Sequence, residues 1–362
     1  MSVKKTVAPV LAVLLLVAAV LGVRWLGEEE SGVAEGVEAG DLLEGVREVA
    51  ERFPAPEKAG SWSRDMGAKP GEFAESWLFA GRVHDRQGRP FGFQLEISRI
   101  AIRAEASARQ SAWAAEHIYR ARFSVEPKSA KTHFGERLSR AALGLAGADG
   151  QTARAWVENW RFVHDEGAGA LRIEAGDAGA GMALRLEIPE HPPVAVEGEL
   201  HAGHWWPHLR AEGTLTLDGQ VLQVSGTALL ERLWGKALPS GQGQLALARL
   251  WLDTGTGGAW RCQQLRRKTG GGTPLLQCQS HLSAVSGDIA LAPLEAGWQA
   301  IGGTRWPLVW TVRRNGERSP LDLGPLGGER PLSLAGNWSG IVVSDDDPAP
   351  WGLLELSNFA AL

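Results

Sequence analysis

Two adjacent charged residues, Glu231 and Arg232, stand near the end of the segment 221–235, which begins with the apolar residues Val221, Leu222 and Val224. The pattern predicts a β-strand, and side chains alternate between the two faces of a strand, so one of these charges must face inward. A buried charge needs a partner of opposite sign. We take Glu75, in the segment Glu75-Ser76-Trp77-Leu78-Phe79, as the candidate partner of Arg232.

Three histidines fall within eight residues and suggest a metal site, in His201-Ala202-Gly203-His204-Trp205-Trp206-Pro207-His208. In a regular strand His204 and His208 share one face, whereas His201 lies on the other. No carboxylate or cysteine stands nearby in the sequence. We therefore favour the alternative, a Trp- and His-rich sheet edge at which Pro207 blocks further pairing, and expect no metal.

The two cysteines, Cys262 and Cys278, flank Lys268-Thr269-Gly270-Gly271-Gly272-Thr273. A hairpin that turns about Gly270 places them directly opposite, about 4.5 Å apart between Cα atoms at a non-hydrogen-bonded position, which is near the lower end of disulfide reach. We predict a Cys262–Cys278 disulfide. The apolar run near the amino terminus, described below, predicts an exported domain, and disulfides persist outside the cytoplasm. Two buried thiols are the alternative.

Composition indicates a globular chain, with 362 residues of which 44% are hydrophobic and 22% charged. This length is sufficient for two domains. The net charge is −5 without a basic patch, which argues against nucleic acid as a partner. The sequence contains neither a glycine-rich phosphate loop nor a Cys-x-x-Cys pattern, so no cofactor is expected.

An apolar run at residues 7–23 follows Lys4 and Lys5. It is long enough for a short membrane-spanning helix, and it leads into Arg24 without the small residues of a cleavage site. We predict a signal anchor at residues 1–27 in the inner membrane, with the main body in the periplasm; secretion after signal cleavage is the alternative. Residues 28–51 form an acidic linker, either a short helix or solvated chain.

From Trp62 onward the pattern predicts β-strands. Apolar and polar residues alternate most clearly at residues 91–97, which indicates one buried and one wetter face. Many antiparallel strands at such spacing predict a barrel or sandwich. The pattern predicts one domain at residues 52–235 and a second at residues 236–362, with strands of the first at residues 75–83, 91–102, 114–125, 154–164, 171–175, 182–188, 211–217 and 221–230.

Several motifs together resemble the signatures of the lipocalin-like carotenoid-hydratase/AttH family. They follow the family order over residues 52–362, and comprise Asp65-Met66-Gly67, Glu75-Ser76-Trp77-Leu78, Ser111-Ala112-Trp113, Tyr119, Phe123, residues 137–147, Gly226-x-Ala228-x-x-Glu231-Arg232-x-Trp234-Gly235, Trp306-Pro307, Trp310, Trp338-Ser339-Gly340 and residues 353–356. The resemblance implies an all-β fold of two lipocalin-like antiparallel barrels packed together.

The sequence departs from the family signatures at several polar positions. Met66 stands at the family's His, Ser76 at its second Trp and Leu78 at its Tyr. Glu231 stands at the family's Asp, and Leu233 at the following Glu. These replacements leave the implied fold intact, but remove many polar groups of an inherited site.

The resemblance implies two functions of different classes. One is an exported protein that binds an apolar lipid or isoprenoid and serves an ABC-type transport system through a permease. The other is a carotenoid-hydratase-like or cyclase-like enzyme, in which a protonated carboxylic acid in an apolar pocket donates a proton to carbon. We favour the binding protein.

Each function assigns roles to particular residues. In the enzyme Glu231 is the first candidate acid, Glu75 the second, and Arg232 orients them. As a third interpretation, which we favour for these three residues, they form a buried ion network that clamps the barrels together. The candidate ligand-binding residues are aromatic side chains, namely Trp77, Trp113, Tyr119, Trp205, Trp206 and Trp234.

Overall fold

The computed structural model describes residues 51, 53–102, 115–268, 272–282, 289–314, 319–347 and 349–359. All of them belong to one of two compact units, Arg47–Leu362. The predicted anchor and nearly all of the predicted linker lie outside the described residues, and so does Trp113. Within the described ranges no helix is long and apolar enough to cross a membrane.

The first sheet contains twelve antiparallel strands and forms a nearly closed barrel, which confirms the predicted fold class. Its strands follow the order β4-β3-β2-β1-β12-β11-β9-β8-β7-β6-β5, with β10 beside β11. They are β1 (Ala74–Asp85), β2 (Pro90–Ala101), β3 (His117–Pro127), β4 (His133–Arg140), β5 (Ala146–Asp149), β6 (Arg154–Val157), β7 (Trp160–Asp165), β8 (Ala170–Gly176), β9 (Ala180–Glu187), β10 (Val194–Glu197), β11 (His201–Leu217) and β12 (Gln220–Gly235).

The second sheet has eight strands in the order β15-β14-β13-β22-β21-β20-β19-β16 and forms the second, smaller barrel. A separate hairpin pairs β17 with β18. The ten strands of this half are β13 (Leu245–Asp253), β14 (Ala259–Arg267), β15 (Leu275–Ser280), β16 (Ile289–Pro293), β17 (Trp298–Ile301), β18 (Thr304–Pro307), β19 (Trp310–Arg314), β20 (Leu321–Pro325), β21 (Trp338–Val343) and β22 (Trp351–Ser357).

A disulfide joins the strands β14 and β15. Cys262 and Cys278 are directly paired in the ladder, with 4.1 Å between their Cα atoms. Both lie within the core of the second barrel. The cross-link therefore ties an edge strand, β15, to the strand that precedes it.

Alternation decides which side chains of the first barrel meet the second. Trp77 and Phe79 of β1 point into the first barrel, whereas Leu78 and Ala80 point outward. The outward residues join a third core that lies between the barrels, together with residues of both halves. Because β1 and β12 are buried on both faces, charges on either face must find partners.

The β11 strand corrects two of the sequence predictions. It is not a sheet edge, because it pairs with β12 along its length and with β9 and β10 on the other side. Pro207 is accommodated by a β-bulge between Trp206 and Leu209, where the missing N–H interrupts no ladder bond. The bulge reverses the alternation, so that His208 faces the second barrel like Trp205, whereas His204 faces the first.

A third correction concerns residues 154–164, which the pattern predicts as one strand. They form two strands, β6 and β7, paired with each other around a tight turn. Glu158 in this turn has a positive φ of 57°. The apolar residues on both sides of the turn conceal it in the sequence.

The segment 53–73 runs across one end of the first barrel, and we call it the strap. It contains one short helix, α1 (Trp62–Asp65). Phe53 and Phe73 pack at the beginning of β1 beside Ala74 and Ala101. Met66 is fully buried in the barrel core. The strap therefore closes the end of the barrel at which β1 begins.

Candidate functional site

Glu75 lies at the strap end of the first barrel, where it binds two guanidinium groups. It pairs with Arg99 of β2 and with Arg232 of β12. Both carboxylate oxygens also accept the backbone N–H of Lys69 in the strap, at 3.0 and 3.1 Å. The predicted Glu75–Arg232 pair therefore forms, and it is completely buried.

The same two arginines hold the strap by its carbonyl groups. Arg232 donates to the carbonyl oxygens of Asp65 and Gly67, at 3.0 and 2.9 Å. Arg99 donates to the carbonyl oxygen of Lys69, at 2.6 Å. Hydrogen bonds from charged donors are stronger than neutral ones, so the cluster around Glu75 fastens the strap to the barrel.

Asp65 forms a second polar group on the strap. Its carboxylate accepts hydrogen bonds from the Lys69 ammonium at 2.9 Å and from Nε2 of His204 at 2.7 Å. Burial alone would raise the pKa of Asp65, but the bonds from Lys69 and His204 outweigh it and lower the pKa to about 2. Burial lowers the pKa of His204, so a neutral imidazole donates from Nε2 and keeps a lone pair on Nδ1.

The aromatic residues predicted to bind a ligand are divided between different surroundings. Trp77 and Trp234 flank the Arg232 guanidinium, at 4.1 and 5.3 Å from the ring centroids, and both indole N–H groups bond to strap carbonyls. Tyr119 is buried beside His117. All three side chains are buried, and Trp77 and Trp234 hold the strap.

Trp206 differs from them because its indole N–H has no hydrogen-bond partner among the described residues. It packs against Trp62 of α1 and against His204, with ring centroids 5.4 and 5.9 Å apart. Trp62 in turn contacts His164 at 5.0 Å. We call these four residues, Trp62, His164, His204 and Trp206, the aromatic corner.

The aromatic corner contains a buried donor and a buried acceptor that the protein leaves unused. Nδ1 of His204, like Nε1 of Trp206, is buried without a partner in the described part of the chain. Beyond His164 the corner adjoins an open groove of about 510 Å³, lined also by Arg161, Asp165, Arg172 and Glu174. Of the two tryptophans of the corner, Trp62 is partly exposed and Trp206 is buried.

Glu231 belongs to a different network, between the two barrels. It pairs with Arg249 of β13 and with Arg261 of β14, at 2.5 Å for the latter. Arg249 continues to Glu355, which binds Arg122 at 3.1 Å. Burial alone would raise the pKa of Glu231, but the charges of Arg249 and Arg261 lower it. The interpretation as a buried ion network between the barrels therefore applies to Glu231. It does not apply to Glu75 and Arg232, which lie on the other face of the sheet.

Four residues of the site, Asp65, Lys69, Arg99 and His204, were not among the predicted site residues. A signal existed for Arg99, because the inward positions of β2 continue from Phe91, Phe93, Leu95 and Ile97 to a charge. The contribution of Asp65 and Lys69 depends on where the strap crosses the barrel, which strand patterns do not encode. In the described part of the chain no three His, Cys, Asp or Glu side chains are grouped to hold a metal ion.

Residues 54–358 match the family model described as AttH-like, and the chain belongs to that family. No curated protein matches the sequence. Among solved structures, the chain is similar to a protein described as AttH from Nitrosomonas europaea, with 20% identity and a TM-score of 0.69 over 85% of this chain and 99% of that one.

Two further solved structures share the fold. Kievitone hydratase from Nectria haematococca has 13% identity and a TM-score of 0.58, over 84% of this chain and 98% of that one. CghA with Sch210972 has 13% identity and a TM-score of 0.52, over 85% and 96% of the two chains. At these identities the likeness concerns the fold alone.

Proposed function

We propose that this protein binds an apolar small molecule, a lipid or an isoprenoid, at the aromatic corner. The observation that carries the proposal is the pair of unused polar atoms, Nδ1 of His204 and Nε1 of Trp206. A buried donor or acceptor without a partner costs about 1–3 kcal/mol. A guest with an apolar body and one hydroxyl or carbonyl group would remove this cost.

The surroundings of the two atoms favour an apolar guest. Small-molecule sites combine aromatic and apolar walls with a few polar groups that fix orientation. At the aromatic corner the apolar walls are the indole rings of Trp62 and Trp206. The adjoining groove is lined mainly by charged side chains, and its volume of about 510 Å³ lies within the range of ligand sites, roughly 300–1,000 Å³. Trp62 is the side chain that must move for the guest to enter, and it belongs to a helix of only four residues.

In this proposal the predicted anchor at residues 7–23 keeps the protein at the inner membrane, where such guests dissolve. A permease of an ABC-type transport system is the partner that exchanges the guest and supplies the energy. The apolar run and the preceding Lys4 and Lys5 are the sequence features behind this setting, and the permease is part of the proposal.

The test is to isolate the full chain and identify by mass spectrometry what organic solvent extracts from it. We expect a guest in stoichiometric amount. The Trp206→Phe variant should lose most of it, because the donor is removed while an aromatic ring remains. Trp205→Phe is the matched control, since Trp205 faces the second barrel, and it should retain the guest. Equal guest content in both variants would contradict the proposal.

A second candidate is hydration of an alkene in the guest. The structural similarity to kievitone hydratase and the His204–Asp65 pair favour it, since a carboxylate that orients an imidazole is a common proton-transfer arrangement. However, neutral His204 accepts protons, and the candidate acids Glu75 and Glu231 are occupied by arginines. Acid catalysis on carbon needs a donor, so binding is the better supported function.

Isotope incorporation separates the two candidates. The purified chain with its extracted guest is incubated in water enriched in oxygen-18. Binding alone leaves the guest unlabelled, whereas hydration adds one labelled hydroxyl, and His204→Gln should then abolish the labelling. If the guest bound to the unmodified chain stays unlabelled, hydration of this guest is excluded as the function.

A further inference from the structure

The opposite face of β11 carries a second pair of unused polar atoms, between the two barrels. Nε1 of Trp205 and Nε2 of His208 are both buried without a hydrogen-bond partner in the described ranges. Both residues line the same small cavity, together with Trp251, Asp253 and Trp351. Neither atom contacts the aromatic corner, because alternation sends Trp205 and Trp206 to opposite sides of the sheet.

His208 is held in an unusual backbone conformation at this cavity. It follows Pro207 in the bulge and has a φ of 60°. A residue other than glycine adopts this left-handed region at a cost, and such residues concentrate at functional sites. The conformation directs the imidazole toward the second barrel instead of the first.

The hydrogen bond to Asp253 determines which nitrogen of His208 is unused. Nδ1 lies 3.2 Å from Oδ2 of Asp253. Burial alone would raise the pKa of Asp253, but hydrogen bonds from His208, Gly255 and Trp351 lower it. An ionised carboxylate only accepts, so Nδ1 of His208 donates to Asp253, and Nε2 is the nitrogen without a partner in the described ranges.

We propose that this cavity is a binding site for a single water molecule, which accepts from the Trp205 indole and donates to Nε2 of His208. About 10 Å³ is open to the centre of a water molecule, and a cavity needs roughly 10–15 Å³ by this measure to hold one. The ligand is therefore water, or a hydroxyl group no larger. Asp253 orients His208, so that Nε2 accepts the hydrogen bond of the bound O–H.

The site is independent of the proposed guest, and a double-mutant cycle tests it in the full chain. Trp205→Phe removes the donor. His208→Asn removes Nε2, but keeps an amide near Nδ1 and tolerates positive φ. Because one water links the two groups, we expect each substitution to lower the folding equilibrium constant roughly fivefold, and the double variant to lose little more than one single variant.

Trp338→Phe combined with His208→Asn is the control cycle. The Trp338 indole is also without a partner among the described residues, but it lies inside the second barrel. The two substitutions should therefore act independently, so that the folding equilibrium constant of the double variant falls by the product of the two single effects, within about twofold. Effects of Trp205→Phe and His208→Asn that multiply in the same way would overturn the proposal.

A crystal structure of the unmodified chain provides the second measurement, should a variant fail to fold. We expect one ordered oxygen atom within about 2.7–3.2 Å of both nitrogens. An empty cavity, or a direct bond between Trp205 and His208, would overturn the proposal.

Discussion

At the residue scale, the partners of a carboxylate decide its role more than its place in a motif. Glu231 is buried between the barrels and lies against two guanidinium groups. An ionised, charge-paired carboxylate is a poor proton donor, and its removal leaves buried positive charge. We therefore assign Glu231 to the contact between the barrels.

The substitution Glu231→Gln checks this assignment. We expect the free energy of unfolding to fall by about 3 kcal/mol, because breaking a buried ion pair leaves its partners uncompensated. The amount of extracted guest should not change. Urea unfolding gives the first quantity and mass spectrometry the second. An unchanged stability together with lost guest would assign Glu231 to the ligand instead.

His117 provides a prediction on pH. Burial and the Arg99 guanidinium lower its pKa from 6.5 to about 4, and Nε2 lies 3.0 Å from Nη1 of Arg99. Below pH 6.5 the unfolded chain thus binds the proton before the folded chain does. Above pH 6.5 the contribution of His117 to the free energy of unfolding is complete. It decreases as the pH falls toward 4, by at most about 1.4 kcal/mol per pH unit.

The His117→Gln variant isolates this contribution in urea unfolding at several pH values. Its free energy of unfolding should decrease less steeply between pH 6.5 and 4 than that of the unmodified chain. His201, whose pKa burial and Arg261 also lower to about 4, keeps part of the slope in the variant. Parallel curves for the two proteins would show that His117 does not contribute.

Single residues were predictable where a pattern restricted them. The Glu75–Arg232 pair followed from alternation and from the need to neutralise a buried charge. The separation of Glu231 from that pair did not, because it requires knowing that the outer face of β12 is covered by Arg249 and Arg261. Those arginines belong to the other half of the chain.

At the element scale, the strap lies outside the two large sheets, and charged side chains of the barrel help to hold it in place. Arg99 and Arg232 bind three of its carbonyl groups. Segments held by few buried contacts open locally at lower free energy than the core. The strap should therefore respond to changes at Glu75 without unfolding of the barrel.

Hydrogen exchange of the Glu75→Gln variant measures this response. We expect amides of residues 57–72 to exchange at least tenfold faster, while those of β13 and β22 keep their protection. Arg120→Ala is the control, because the Arg120–Glu136 pair lies on the outer face of the same barrel. Faster exchange throughout both barrels would mean that Glu75 stabilises the whole fold.

The β11 strand shows what a local pattern could not reveal. The repeat of apolar residues predicted the strands around β11, whereas Pro207 suggested a sheet edge. The observed pairing of β11 with β9, β10 and β12 shows that Pro207 lies in a bulge of an inner strand. A one-residue shift exchanges the two faces of a strand. For this reason His208, which follows Trp206 in the bulge, lies on the face opposite to the predicted one, whereas His201 and His204 keep their predicted opposite faces.

At the scale of the whole molecule, two barrels share a core and a chain of alternating charges. That chain connects Arg261, Glu231, Arg249, Glu355 and Arg122. The sequence motifs implied two packed barrels, and several of them, such as those at Glu75 and at Glu231-Arg232, fall on strands. The interface was beyond prediction, because each of its pairs joins residues of different strands, and Glu355 meets Arg122 and Arg249 from more than one hundred positions away.

The membrane setting is a prediction for the intact chain. Residues 7–23 should keep a carboxyl-terminal alkaline phosphatase fusion in the membrane fraction after carbonate washing, with the enzyme active in the periplasm. Replacing Leu14 and Leu15 by lysine should release the fusion from the membrane or block its export. A fusion that is soluble and shortened at its amino terminus would instead indicate signal cleavage.

The central claim, a guest at the aromatic corner, is tested most directly by photolabelling. The full chain is irradiated with an apolar alcohol that carries a diazirine, and labelled peptides are mapped. The account predicts labels on Trp62, His204 and Trp206, which an excess of extracted guest suppresses. Labels that spread over the outer strands, or that concentrate between the barrels and resist competition, would contradict it.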